Sequence, residues 1–75
     1  MASDRVRIEI GFYAGQALSL LVEQRTAEEV ESALSSGRDG AIHVDAEDGA
    51  YTIALAKVVY IKRFAREGRL GFGNP

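Results

Sequence analysis

Residues 50–64, AYTIALAKVVYIKRF, constrain the fold more than any other stretch of the chain. They form its longest apolar run, rich in Val, Ile and Tyr and interrupted at Ala56-Lys57. β-Branched and aromatic residues suit a pleated, half-buried surface. The run therefore reads as two strands of one sheet, at residues 51–55 and 58–62, with Ala56-Lys57 as a tight reversal or bulge. In the first, Tyr51, Ile53 and Leu55 share a face and alternate with Thr52 and Ala54. In the second, Val58, Val59, Tyr60 and Ile61 leave no polar face. A strand of that kind is expected at the centre of a sheet or beneath a partner.

The rest of the chain supplies what folds onto that sheet. Val6, Ile8, Ile10 and Phe12 alternate with Arg5, Arg7, Glu9 and Gly11, the period of a strand with one wet face. Tyr13-Ala14-Gly15-Gln16 is a hairpin connection in which Gly15 is free to take positive φ. Leu18, Leu20 and Val22 continue the alternation, and Leu21 breaks the polar side. That strand is expected to be covered on both faces or to lie in an interface. Thr26-Ala27-Glu28-Glu29 fits a capping box opening a helix, with Ala27, Val30, Ala33 and Leu34 as its apolar stripe and Gly37 as its left-handed stop. Ile42 and Val44 mark the third strand, and Asp48-Gly49 is a hairpin signal.

The order is strand, strand, helix, strand, strand, strand. This predicts a single α+β domain: a curled, mostly antiparallel sheet with the helix packed on one face. A partly closed small barrel is one alternative. A β-grasp, with the first and last strands parallel at the centre, is another. Residues 1–4 are expected to be disordered and residues 65–75 to form a Gly-rich tail. In that tail Leu70 and Phe72 are out of place if only solvent surrounds them.

Composition removes several chemistries. The 75 residues include no Cys and a single His, His43, so neither a thiolate metal site nor a paired His site is available. His43 lies between Ile42 and Val44 and should point away from the core, with no nucleophile placed beside it. Asp45, Glu47 and Asp48 do not meet the calcium-loop spacing. The glycines of GRLGFG neither follow a strand nor open a helix, as a nucleotide fingerprint must. No cofactor and no catalytic residue is expected, and the chain reads as a non-enzymatic protein. No apolar run approaches the roughly 20 residues of a membrane helix, and the polar start lacks the centre of a signal peptide. The expected location is the cytoplasm.

Two partner readings follow. A chain of 75 residues has a marginal core, and small chains without staples gain stability by assembling. Leu21, Val58, Tyr60, Leu70 and Phe72 are the candidate contacts for self-association or a protein partner, giving a homo-oligomer or a complex. Alternatively, Lys57, Tyr60, Lys62, Arg63 and Arg66 combine positive charge with an aromatic platform that single-stranded nucleic acid could use. The net charge of −2 gives no global field toward nucleic acid.

VRIEIG at the start, TAEEVESAL in the helix, KVVYI in the last strand and RLGFG at the end stand in one order. In this the chain resembles a small family of uncharacterised actinobacterial proteins, a domain of unknown function. Its members begin near VKIG, carry a T/S-x-E-E-V helix and end KIAYVEIG…RRVGFG. The resemblance spans residues 6–73. Lys57, Tyr60, Gly71, Phe72 and Gly73 match its more specific part, while residues 11–14 and Lys62-Arg63 depart from it. The resemblance implies a bacterial, intracellular protein in which residues 70–73 are a true feature. It brings no activity with it.

Overall fold

The computed structural model describes residues 5–65. Five strands and a helix follow one another as β1 (Arg5–Phe12), β2 (Ala17–Glu23), α1 (Gln24–Ser35), β3 (Ala41–Ala46), β4 (Gly49–Ala54) and β5 (Val58–Arg63). The fold is α+β, as the order of elements predicts. All pairing is antiparallel and divides into a three-stranded sheet, β2-β1-β5, and a two-stranded sheet, β3-β4. The sheets do not close into a barrel. β1 and β5 run antiparallel, so the β-grasp arrangement does not form.

Alternation dictates the core. Ile8 and Ile10 of β1 face the same side as Leu20 and Val22 of β2, and all four are buried. Ala27, Val30 and Ala33 lay one stripe of α1 on them, and Ile42, Val44 and Ile53 close the far side. Each large side chain buried this way contributes about 1.5–3 kcal/mol. Among the described residues no polar or charged side chain is buried.

Two local devices fix the chain's path. α1 ends in a Schellman motif, with Gly37 at φ 71°, its N–H donating to Leu34 O and the N–H of Arg38 donating to Ala33 O. The β1–β2 connection places Gly15 at φ 87°, as expected of Tyr13-Ala14-Gly15-Gln16.

Three expectations are corrected. The capping box at Thr26–Glu29 is absent. α1 follows β2 with no loop, Glu23 stands at the N-cap position and no side chain caps the helix there. The helix thus starts at Gln24, and Thr26 lies inside its first turn. Secondly, the run of residues 50–64 does not form two strands of one sheet. Leu55–Lys57 is a 3-10 turn, the Leu55 side chain is buried, and its N–H donates to Gly40 O at 2.9 Å. Pinned there, the chain leaves the β3-β4 sheet and crosses to β1. Thirdly, β5 is an edge strand, not a central one. Apolar residues on both sides of it do not signify internal cover: Val58 is buried, Ile61 is half-buried, and Val59 and Tyr60 are 52% and 43% exposed.

Candidate functional site

Strand pairing gathers the candidate residues on the side of the three-stranded sheet that faces away from α1. Opposed residues in an antiparallel ladder share a face. Arg5 opposes Glu23, Arg7 opposes Leu21, Glu9 opposes Ser19 and Lys62, and Gly11 opposes Ala17 and Tyr60. None of these polar side chains reaches the core, and Leu21 is half-buried among them. Among the described residues no second layer covers this face.

Tyr60 organises its centre. The phenol donates a hydrogen bond to the Glu9 carboxylate across the strands. Its ring lies over Gly11 so closely that a Cβ there would overlap ring carbons. Gly11 is buried for that reason, a strand glycine that admits a close approach. The hydrogen bond to Glu9, together with desolvation and the negative charge nearby, holds the Tyr60 hydroxyl above its ordinary pKa. Glu9 takes the phenol, and Lys62 directly opposite it forms no ion pair among the described residues. The Lys62 ammonium instead sits 4.5 Å from the centroid of the Phe64 ring, a cation–π distance. Arg7 donates to the Ser19 hydroxyl at 3.3 Å.

The predicted basic patch is split by the pleat. Arg63 opposes Ile8, so its side chain points to the α1 side of the sheet. There its guanidinium grips Glu31 at two points, 2.8 and 3.0 Å, a fork that ties β5 to the helix. Lys57 stands apart in the 3-10 turn. Of the five predicted nucleic-acid residues, Tyr60 and Lys62 are brought together, Arg63 and Lys57 are not, and Arg66 lies outside the described residues. Of the predicted association residues, Leu21 and Tyr60 share the outer face and Val58 is in the core. Leu70 and Phe72 lie outside the described residues.

Glu9, Gly11 and Glu31 are functional neighbours that the sequence reading missed. β1's alternation places Glu9 and Gly11 on one face, but nothing local reveals which residue of β5 opposes them.

Elsewhere the surface is charge-balanced. His43 is exposed as expected, with its Nε2 3.3 Å from Asp45 on the same strand. Glu47 and Asp48 form the β3–β4 turn, where the Tyr51 hydroxyl donates to Asp48 at 2.8 Å. That bond is the first cause of a raised Tyr51 pKa. A groove of about 490 Å³ beside α1 and β3 has Arg25 and Arg38 set against Glu28 and Glu29. Among the described residues no cluster of three His, Cys, Asp or Glu could hold a metal, and no helix is long and apolar enough to cross a membrane.

No family model matches this chain, and neither a curated protein nor a solved structure matches it. The likeness to the actinobacterial family rests on the quoted residues alone.

Proposed function

We propose that the chain is a non-enzymatic interaction module that associates with another protein surface, a second copy of itself included, through β5 and the adjoining outer face. One observation carries this reading. Among the described residues the large hydrophobics left exposed are Tyr13, in the β1–β2 turn, and Val59 and Tyr60, which are 52% and 43% exposed side by side on an edge strand. Such an edge presents unpaired backbone groups beside apolar side chains, a template for pairing with a further strand. Phe64, half-buried next to this edge, and Leu21, half-buried on β2 beyond Arg7, extend the apolar surface. Light scattering over a rising concentration series tests the reading. A mass that climbs toward a multiple of the monomer supports it; a constant monomer mass removes self-association.

A second reading, single-stranded nucleic acid on the same face, has the cluster of Tyr60, Lys62, Phe64 and Arg7 in its favour. Stacking platforms beside cations are what such ligands use. Against it stands Glu9, a carboxylate at the centre of the face that would meet the phosphates. Retention on homopolymers that falls steeply with salt would support this reading; no retention at low salt would end it.

A further inference from the structure

The β1–β5 ladder determines which backbone groups of the edge are free. The Phe64 N–H donates to Arg7 O at 2.9 Å, which makes Phe64 and Arg7 a hydrogen-bonded pair. Such pairs alternate along an antiparallel ladder. Lys62 opposite Glu9 and Tyr60 opposite Gly11 therefore turn their backbone groups toward β1. Ile61 and Arg63 turn theirs the other way, where no strand lies among the described residues. Val59 sits where the register shifts beside Gly11 and Phe12, so the regular edge begins at Tyr60.

Resting on the self-association reading, we infer that the occupant of this edge is a second copy of the chain, its β5 antiparallel to the first, with the two-fold axis at Ile61. Charge selects this register among those the edge offers. An axis at Lys62 sets two ammonium groups directly opposite each other. An axis at Arg63 does the same with two guanidiniums. Like charges directly opposed destabilise a sheet. An axis at Tyr60 drives the pairing through the irregular stretch at Val59. With the axis at Ile61, the central triplet Tyr60, Ile61 and Lys62 lies in regular strand on both copies. Each Ile61 exchanges N–H and C=O bonds with its counterpart. Each Tyr60 then meets the other copy's Lys62 as a non-hydrogen-bonded pair, the closer kind. An ammonium arrives against a phenol ring, with the Glu9 carboxylate one strand further in.

The arrangement accounts for two features together. Lys62, which forms no ion pair among the described residues, acquires the Tyr60–Glu9 pair of its neighbour. The two three-stranded sheets become one continuous six-stranded sheet whose outer edges are both β2. Each β2 already gives its Leu21 O to the Glu47 N–H at 2.9 Å, which guards the new edge against further pairing. Association then stops at two copies.

The chain has no Cys, so a single introduced thiol reports one position. Ile61→Cys and Thr52→Cys, the latter on the outer side of β4, are each treated with a short bismaleimide at a concentration where scattering gives a dimer mass. Ile61→Cys should cross-link to a dimer in preference to Thr52→Cys. Lys62→Glu places a carboxylate against the neighbour's Tyr60–Glu9 pair and should weaken dimerisation at least tenfold. Because it also faces Glu9 of its own chain, Lys62→Gln is the control, which should weaken dimerisation with an unchanged thermal melt of the dilute monomer. A dimer mass with no preference for position 61, or with Lys62→Glu unaffected, overturns this register and leaves self-association standing. A monomer at the highest concentration overturns both. A mass above the dimer overturns closure at two copies.

Discussion

β4 and β5 are consecutive, equal in length and both at sheet edges, yet they treat solvent differently. β4 alternates: Ile53 is buried, Tyr51 is half-buried, and Ala50, Thr52 and Ala54 are turned outward. β5 does not alternate, and its exposed residues are Val59, Tyr60, Lys62 and Arg63. The first edge shows water small or polar groups; the second shows it a branched aliphatic and an aromatic ring beside two cations. Edge position alone therefore does not make a sticky surface. The side chains that flank the free backbone do, and among the described strands the exposed large hydrophobics are on β5.

The largest test of that contrast is a pair of truncations. Ile53→Ala on β4 removes a side chain 5% exposed and should cost about 2–5 kcal/mol at any protein concentration. Ile61→Ala on β5 removes a half-buried one and should cost less in dilute solution, about 1–2 kcal/mol. Chemical denaturation at two concentrations separates them: the Ile61→Ala cost should grow as concentration rises, the Ile53→Ala cost should not. Equal growth in both would mean that β4 is as much an interface as β5. Next in size is Gly11→Val. Its side chain takes the space of the Tyr60 ring, so the ring must swing outward and release Glu9. Overpacking of this kind costs about 1–3 kcal/mol, and the ring protons of Tyr60 should shift in the NMR spectrum. Unmoved protons would mean the ring does not lie on Gly11 in solution.

A smaller effect is expected from the Arg63–Glu31 fork. Its side chains are 32% and 38% exposed, so water screens them and Glu31→Gln should cost less than about 1 kcal/mol. A larger loss by thermal melt would mean the fork holds β5 against α1 more strongly than an exposed pair can.

Where each element stood in the sequence followed how local its signal is. β1 and β2 were legible because a period of two needs no knowledge of the partner strand. Gly15 and Gly37 were legible because positive φ at a turn or helix end is a property of the residue itself. The start of α1 was not, because Thr26 carries a helix-opening signature that the direct passage from Glu23 into Gln24 overrides. The place of β5 was not legible either. Apolar residues on both sides of residues 58–61 say that cover is wanted, not whether the same chain supplies it. The pairing of Tyr60 with Glu9 spans 51 positions. A contact that distant depends on the register of β1 against β5, which the bulge beside Gly11 alters.

The mildest prediction concerns alkaline pH and again sets the two strands side by side. Tyr60 of β5 and Tyr51 of β4 each donate to a carboxylate, Glu9 and Asp48, and both pKa values are raised above 10.0 chiefly by that bond. A phenol whose pKa is higher in the folded state than in the unfolded one favours folding while it is protonated. That contribution is complete below the unfolded pKa near 10 and is lost as pH climbs through the folded value. Phenolate absorbance in the folded protein should therefore develop later than in the urea-unfolded chain. Tyr60→Phe and Tyr51→Phe should each remove part of the delayed signal and flatten the decline of stability above pH 10. The strands should part company on dilution. If a second copy's Lys62 lies against Tyr60, that ammonium favours the phenolate and pulls the Tyr60 titration back toward its ordinary range in the dimer. Tyr51, on β4 of the other sheet, should titrate identically at both concentrations. A Tyr60 titration indifferent to concentration, in a sample that scattering shows to be dimeric, would mean that no cation faces it across the boundary.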